Sequence, residues 1–162
     1  MNISEDFLIA IASIAITLIG FSGVVTALGR RGEGKWSQSE KLQLLTLVEP
    51  SLVALFGAFI PIIGGLVIED QNLLWRTSNG LLLSMHIVGF GSFLKRGRSA
   101  SVHISQHMMS VVTIAILLFQ VFSIFGLTTY HELAFAFSLL LGISVSVINF
   151  YLLLFVSNEK GA

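Results

Sequence analysis

Between Leu44 and Ile68 the chain reads LLTLVEPSLVALFGAFIPIIGGLVI, with Glu49 its single charged residue. A helix of about 20 apolar residues crosses the hydrocarbon core of a bilayer, so this run is long and apolar enough to span one. It also carries features that a plain anchor does not need. Glu49 stands directly before Pro50, and Pro61, Gly57, Gly64 and Gly65 follow. Prolines inside a membrane helix free backbone carbonyls that need new partners. A carboxylate at membrane depth is costly and marks a functional position.

The rest of the sequence reads as further membrane helices around this one. Of its 162 residues 54% are hydrophobic and 11% charged, against roughly 25% charged in soluble domains. The pattern predicts an all-α, polytopic integral membrane protein. Its five transmembrane helices fall at about 7–28, 38–68, 73–94, 104–127 and 132–156, in a single transmembrane domain over 1–162. The acidic start, Glu5 and Asp6, is unlike a secretory signal, so the first helix is read as an uncleaved span. Ser37 followed by Glu40 matches a capping box and predicts the start of the second helix. Ser13, Thr17, Gly20 and Ala27 recur at helical spacing, as a narrow face for close packing.

Loop charge sets the expected orientation. Arg30, Arg31, Lys35 and Lys41 follow the first helix, and Lys95, Arg96 and Arg98 follow the third. The opposite connections carry none, Arg76 apart. The positive-inside rule then places the basic loops in the cytoplasm, the N-terminus outside and the C-terminus inside. The expected location is a cell membrane, crossed several times, with a bacterial inner membrane as the setting.

Several function classes drop out. Formal net charge is zero, which leaves no basic surface for nucleic acid. No cysteine is present, so disulfides, thiolate metal sites and a cysteine nucleophile are excluded. Gly29 to Lys35 resembles the start of a phosphate-binding loop, but Trp36 stands where a Ser or Thr must bind magnesium, and no strand precedes it. Gly89-Phe-Gly91 lacks the third glycine of a dinucleotide fingerprint. No Gly-x-Ser-x-Gly elbow and no intramembrane carboxylate pair appears, so no enzymatic reaction is expected.

The candidate site lies among polar residues inside the spans. At 1.5 Å per residue, Glu49 falls about 8 to 10 Å from the cytoplasmic edge of its helix and His86 about 12 Å from the end of its own. His107, with Ser110 one turn deeper, and Asn149, with Ser146 beside it, fall at a similar height, as does Ser22. Polar residues also share faces: Arg76, Asn79 and His86; Gln106, Ser110, Thr113 and Gln120; Ser138, Ser146 and Asn149. Polar stripes in lipid face protein or water.

Three readings follow. In the leading one, Glu49, Pro50, His86, His107, Ser110 and Asn149 form an inner-leaflet polar site. The protein is then a small homo-oligomeric channel or permease for protons, cations or a small solute. The alternative is a non-catalytic membrane scaffold or accessory subunit whose polar groups hold helices together for about 0.6 kcal/mol each. The third is a haem or divalent-metal protein. His103 and His107, one turn apart, would ligate a metal there, or His86 and His107 a haem. The leading reading needs no cofactor. Its partners are the lipid bilayer and further copies of the chain; the sequence names no other protein partner.

Overall fold

In the computed structural model, which describes residues 3–28, 37–97 and 104–156, five α-helices follow one another. They are α1 (Glu5–Leu28), α2 (Gln38–Gly64), α3 (Gln71–Gly97), α4 (Ile104–Ile124) and α5 (His131–Tyr151), the last continued by a π-helical turn (Leu152–Val156). Helices α1, α2, α4 and α5 are long and apolar enough to cross a membrane. Helix α3 is long enough but less apolar, because Ser78, Asn79, Ser84 and His86 interrupt its leucines.

Local chemistry explains the ends. The Glu40 N–H donates to Ser37 Oγ (3.2 Å) and the Ser37 N–H to the Glu40 carboxylate (2.8 Å), the capping box that the spacing predicts. Helix α2 stops at Gly64 rather than at 68, in a turn where Ile68 N–H bonds the Gly64 carbonyl. Asp70 accepts from the Asn72 N–H at 2.9 Å, so α3 begins at Gln71, inside the expected turn. It runs to Gly97, which makes Lys95 and Arg96 its last turn instead of a loop. Helix α4 ends at Ile124, not 127. Gly126 has φ 71°, and the Leu127 and Gly126 N–H groups bond the Phe122 and Ser123 carbonyls in a Schellman motif.

Helix α2 continues through both prolines. Pro50 has no N–H to offer the Thr46 carbonyl one turn back. Next to it, Ser51 Oγ and Ser146 Oγ both lie within hydrogen-bonding distance of the Leu47 carbonyl (2.9 and 2.8 Å) and of each other (2.9 Å). This buried contact ties α2 to α5. Gly142 brings the helices close enough for it: a Cβ there would stand 3.1 Å from the Pro50 carbonyl oxygen.

The apolar core lies between α1, α2, α3 and α5. It joins Leu8, Ile11, Ala12 and Ala15 to Ala54 and Ala58, Trp75 and Leu82, and Phe135 and Leu139. Trp75 and Phe135 meet edge to face at 5.5 Å. Helix α4 adds nothing to this cluster. Its buried residues are Gln106, Thr113, Gln120 and Ser123, all polar and all on one side. Ser13, Thr17, Gly20 and Ala27 of α1 are exposed, so among the described residues nothing packs on the small-residue face. The Ser13 and Thr17 hydroxyls bond carbonyls of their own helix.

Candidate functional site

Four helices each turn one face toward a cavity of about 80 Å³. From α2 come Thr46, Glu49, Pro50 and Val53; from α3 His86, Gly89, Phe90 and Phe93. Helix α4 supplies Gln106, Met109, Ser110 and Thr113, and α5 supplies Gly142, Val145 and Asn149. On every helix the spacing is i, i+3 or i+4, i+7, the repeat of one helical face. The volume is below the roughly 300 to 1,000 Å³ of sites for drug-sized ligands. It has room for a few waters, at about 30 Å³ each, within a wall that is mostly apolar.

Five of the six residues expected at the site, Glu49, Pro50, His86, Ser110 and Asn149, line this cavity. His107 does not. It is exposed on another side of α4, because one residue beyond Gln106 is a rotation of about 100°. His103 lies outside the described residues. Among those described, no three His, Asp or Glu side chains gather as a metal site would require. Ser22 is buried but bonds the Ile19 carbonyl of its own helix, away from the cavity.

The heights also differ from the expected layer. With α3 extended to Gly97, His86 stands about 16 Å from that end, nearer the middle of the helix. Buried polar residues continue beyond it to the opposite end of the bundle, at Asn79, Gln120, Ser123 and His131. The single inner layer is therefore one part of a longer polar seam.

Glu49 is not a lone charge. Arg96 Nη1 donates to Glu49 Oε1 at 2.7 Å across the α2–α3 boundary. Arg96 was legible only as a loop cation; it falls on the same face of α3 as His86, Gly89 and Phe93, at i+10 from the histidine. A wider open groove of about 460 Å³ between α2 and α3 shares Glu49, Val53, Met85 and Gly89 with the cavity. The carboxylate thus borders both spaces.

Across the cavity, Gln106 Nε2 donates to Asn149 Oδ1 at 2.7 Å, and Asn149 Nδ2 to the Val145 carbonyl at 2.8 Å. The Ser110 and Thr113 hydroxyls bond carbonyls one turn back in α4. His86 differs from these groups. It is 9% exposed and stands near the Leu82 carbonyl, yet neither ring nitrogen makes a hydrogen bond of good geometry among the described residues. A buried polar group left so costs about 1 to 3 kcal/mol.

Arg76, near the start of α3, donates through Nε to the Ile124 carbonyl at the C-terminus of α4. His131, one residue ahead of the expected start of the fifth helix at 132, opens α5, where its Nδ1 lies 2.9 Å from Ser123 Oγ. No known family model, curated protein or solved structure matches this chain.

Proposed function

We propose that the chain is a five-span membrane protein, N-terminus outside and C-terminus inside. It assembles with copies of itself and passes protons, cations or a small solute through the cavity beside Glu49. The observation that carries this reading is the convergence of Glu49, Pro50, His86, Ser110 and Asn149 on one half-open space lined by four helices. Intramembrane ionisable residues that face such a space mark pathways. The Glu49–Arg96 pair stands where that space meets the α2–α3 groove and acts as its charged gate.

Helix α3 serves as the fifth span. Its 27 residues extend about 40 Å. Its polar Ser78, Asn79 and His86 are buried against protein, while Leu73, Leu81, Ile87, Val88 and Leu94 are exposed, as a lipid-facing side requires. Lys41 near the start of α2 and Lys95 and Arg96 in the last turn of α3 lie at one end of the bundle, which supports the orientation. The unused Ser13–Thr17–Gly20 face of α1 supports self-association through a surface where backbones approach closely.

The second reading, a non-catalytic scaffold, is favoured by the Ser51–Ser146 and Gln106–Asn149 contacts, which join helices without lining a wide path. Flux in liposomes holding the purified chain separates the two. Proton, monovalent-cation or small-solute flux above empty liposomes, reduced about tenfold by Glu49→Gln, is the expected result; tenfold corresponds to about 1.4 kcal/mol of barrier. A wild-type chain that moves none of these rejects the transport reading.

A further inference from the structure

The end of the bundle away from the cavity holds a second set of buried polar groups. Asn79 Nδ2 donates to the His131 carbonyl at 2.9 Å, and Ser123 Oγ meets His131 Nδ1 at 2.9 Å. Gln120, one turn before Ser123 on the same side of α4, is fully buried, and neither atom of its amide has a hydrogen-bond partner among the described residues. Asn79 Oδ1 and Ser138 Oγ lack one too. Among the described residues, five carry buried side-chain atoms of this kind, and four of them, Asn79, His86, Gln120 and Ser138, lie on α3, α4 and α5.

The contacts between these helices set their register. Helices α3 and α5 run in parallel and meet at Asn79 and His131. Seven residues further along each, His86 and Ser138 stand at one height, about 10 Å nearer the basic end. Helix α4 runs the other way, and its contacts Ser123–His131 and Gln106–Asn149 place Thr113 about one turn, roughly 5 Å, further toward the basic end. His86 and Thr113 also line the cavity. The unsatisfied groups therefore descend in steps from Asn79 and Gln120, through Ser138 and His86, to the polar wall at Ser110, Gln106 and Asn149.

Buried polar groups in native proteins find a partner, and where the chain supplies none, ordered water does. All four buried residues of α4 are polar, Gln120 and Ser123 toward one end and Thr113 and Gln106 toward the other, so this helix offers the file polar groups at both ends of the seam. We infer that the α3–α4–α5 seam holds a file of internal water from the Asn79–Gln120–Ser138 groups to the cavity at His86, and that the species passed is the proton. This rests on the transport reading above. Each water accepts a proton from one neighbour and passes another on, so one proton enters as one leaves and no group is consumed. Between the two ends the seam has no acidic side chain among the described residues to replace the hydration that a metal cation would lose.

The natural chain lacks cysteine, which permits a direct test. Single substitutions Gln120→Cys, Ser138→Cys, Asn72→Cys (exposed) and Leu139→Cys (fully buried in the apolar core) are made in the full chain, reconstituted in liposomes and treated with a small charged methanethiosulfonate. The thiolate is the reactive form and needs water around it. The expected result is modification of Gln120→Cys and Ser138→Cys within about tenfold of the Asn72→Cys rate, with Leu139→Cys unmodified. Reactivity at Gln120→Cys and Ser138→Cys as low as at Leu139→Cys overturns the water file. Water-edited NMR on the unsubstituted chain tests the same point without a variant: early transfer from water to the Gln120 and Asn79 side-chain amides is expected, and its absence overturns the proposal. Proton flux without sodium or potassium flux is the third expected result. A wet seam with cation flux overturns the proton assignment and leaves the transport reading standing; a wet seam with no flux rejects both.

Discussion

Arg96 and Glu49, 2.7 Å apart, join the last turn of α3 to α2 one residue ahead of Pro50. Their side chains are 38% and 32% exposed toward the α2–α3 groove, and with water in that groove the pair contributes little to stability. A double-mutant cycle of Glu49→Gln and Arg96→Gln, followed by thermal unfolding in detergent, is expected to give a coupling under about 1 kcal/mol. The flux assay is expected to fall about tenfold for either single variant. A large coupling with unchanged flux would make the pair a brace and not a gate.

His86 separates transport from scaffolding in one substitution. Its ring nitrogens find no good partner among the described residues, so His86→Leu removes a polar group that the fold does not satisfy. Stability is expected to stay level or rise by about 1 kcal/mol while flux is lost. A lowered melting temperature would show that the imidazole holds helices together.

Glycine substitution tests where helices touch. Gly142→Val drives a branched side chain against the Pro50 carbonyl oxygen and Ala54, and is expected to destabilise the chain by about 1 to 3 kcal/mol. Gly20→Val meets open space within the chain. It is expected to leave the melting temperature of the monomer unchanged and to shift native mass spectra toward smaller assemblies. Identical spectra for Gly20→Val and wild type would remove α1 as the self-association face.

The Ser51–Ser146 contact is expected to behave as ordinary interhelical bonding. Ser146→Ala should lower stability by about 0.6 kcal/mol. Because both hydroxyls share the Leu47 carbonyl, the Ser51→Ala and Ser146→Ala effects should not add. Additive losses would mean that the two hydroxyls act on separate partners.

Much of the site was legible in the amino-acid sequence. Helical spacing grouped Gln106, Ser110, Thr113 and Gln120, and grouped Asn79 with His86, because residues on one face recur at 3.6 per turn whatever surrounds them. Arg96 was missed because α3 gains a turn beyond the expected boundary, and helix ends depend on weak, local bonds. His107 falls outside the cavity for a different reason. Depth along a span says nothing about rotation around it, and α4 is rotated so that Gln106 faces inward and its neighbour outward.

Hydrophobic run length and the Ser37–Glu40 cap were enough to determine helical segments and the start of α2, since both rest on residues near one another in the chain. Tertiary packing alone decided that Glu49 meets Arg96, that α4 docks through its polar face, and that Asn79 reaches the His131 carbonyl. Those contacts join residues 43 to 52 apart or on different helices. They follow from how Gly142, Gly57 and the α1-backed core let the helices approach and turn, and no local pattern encodes that rotation.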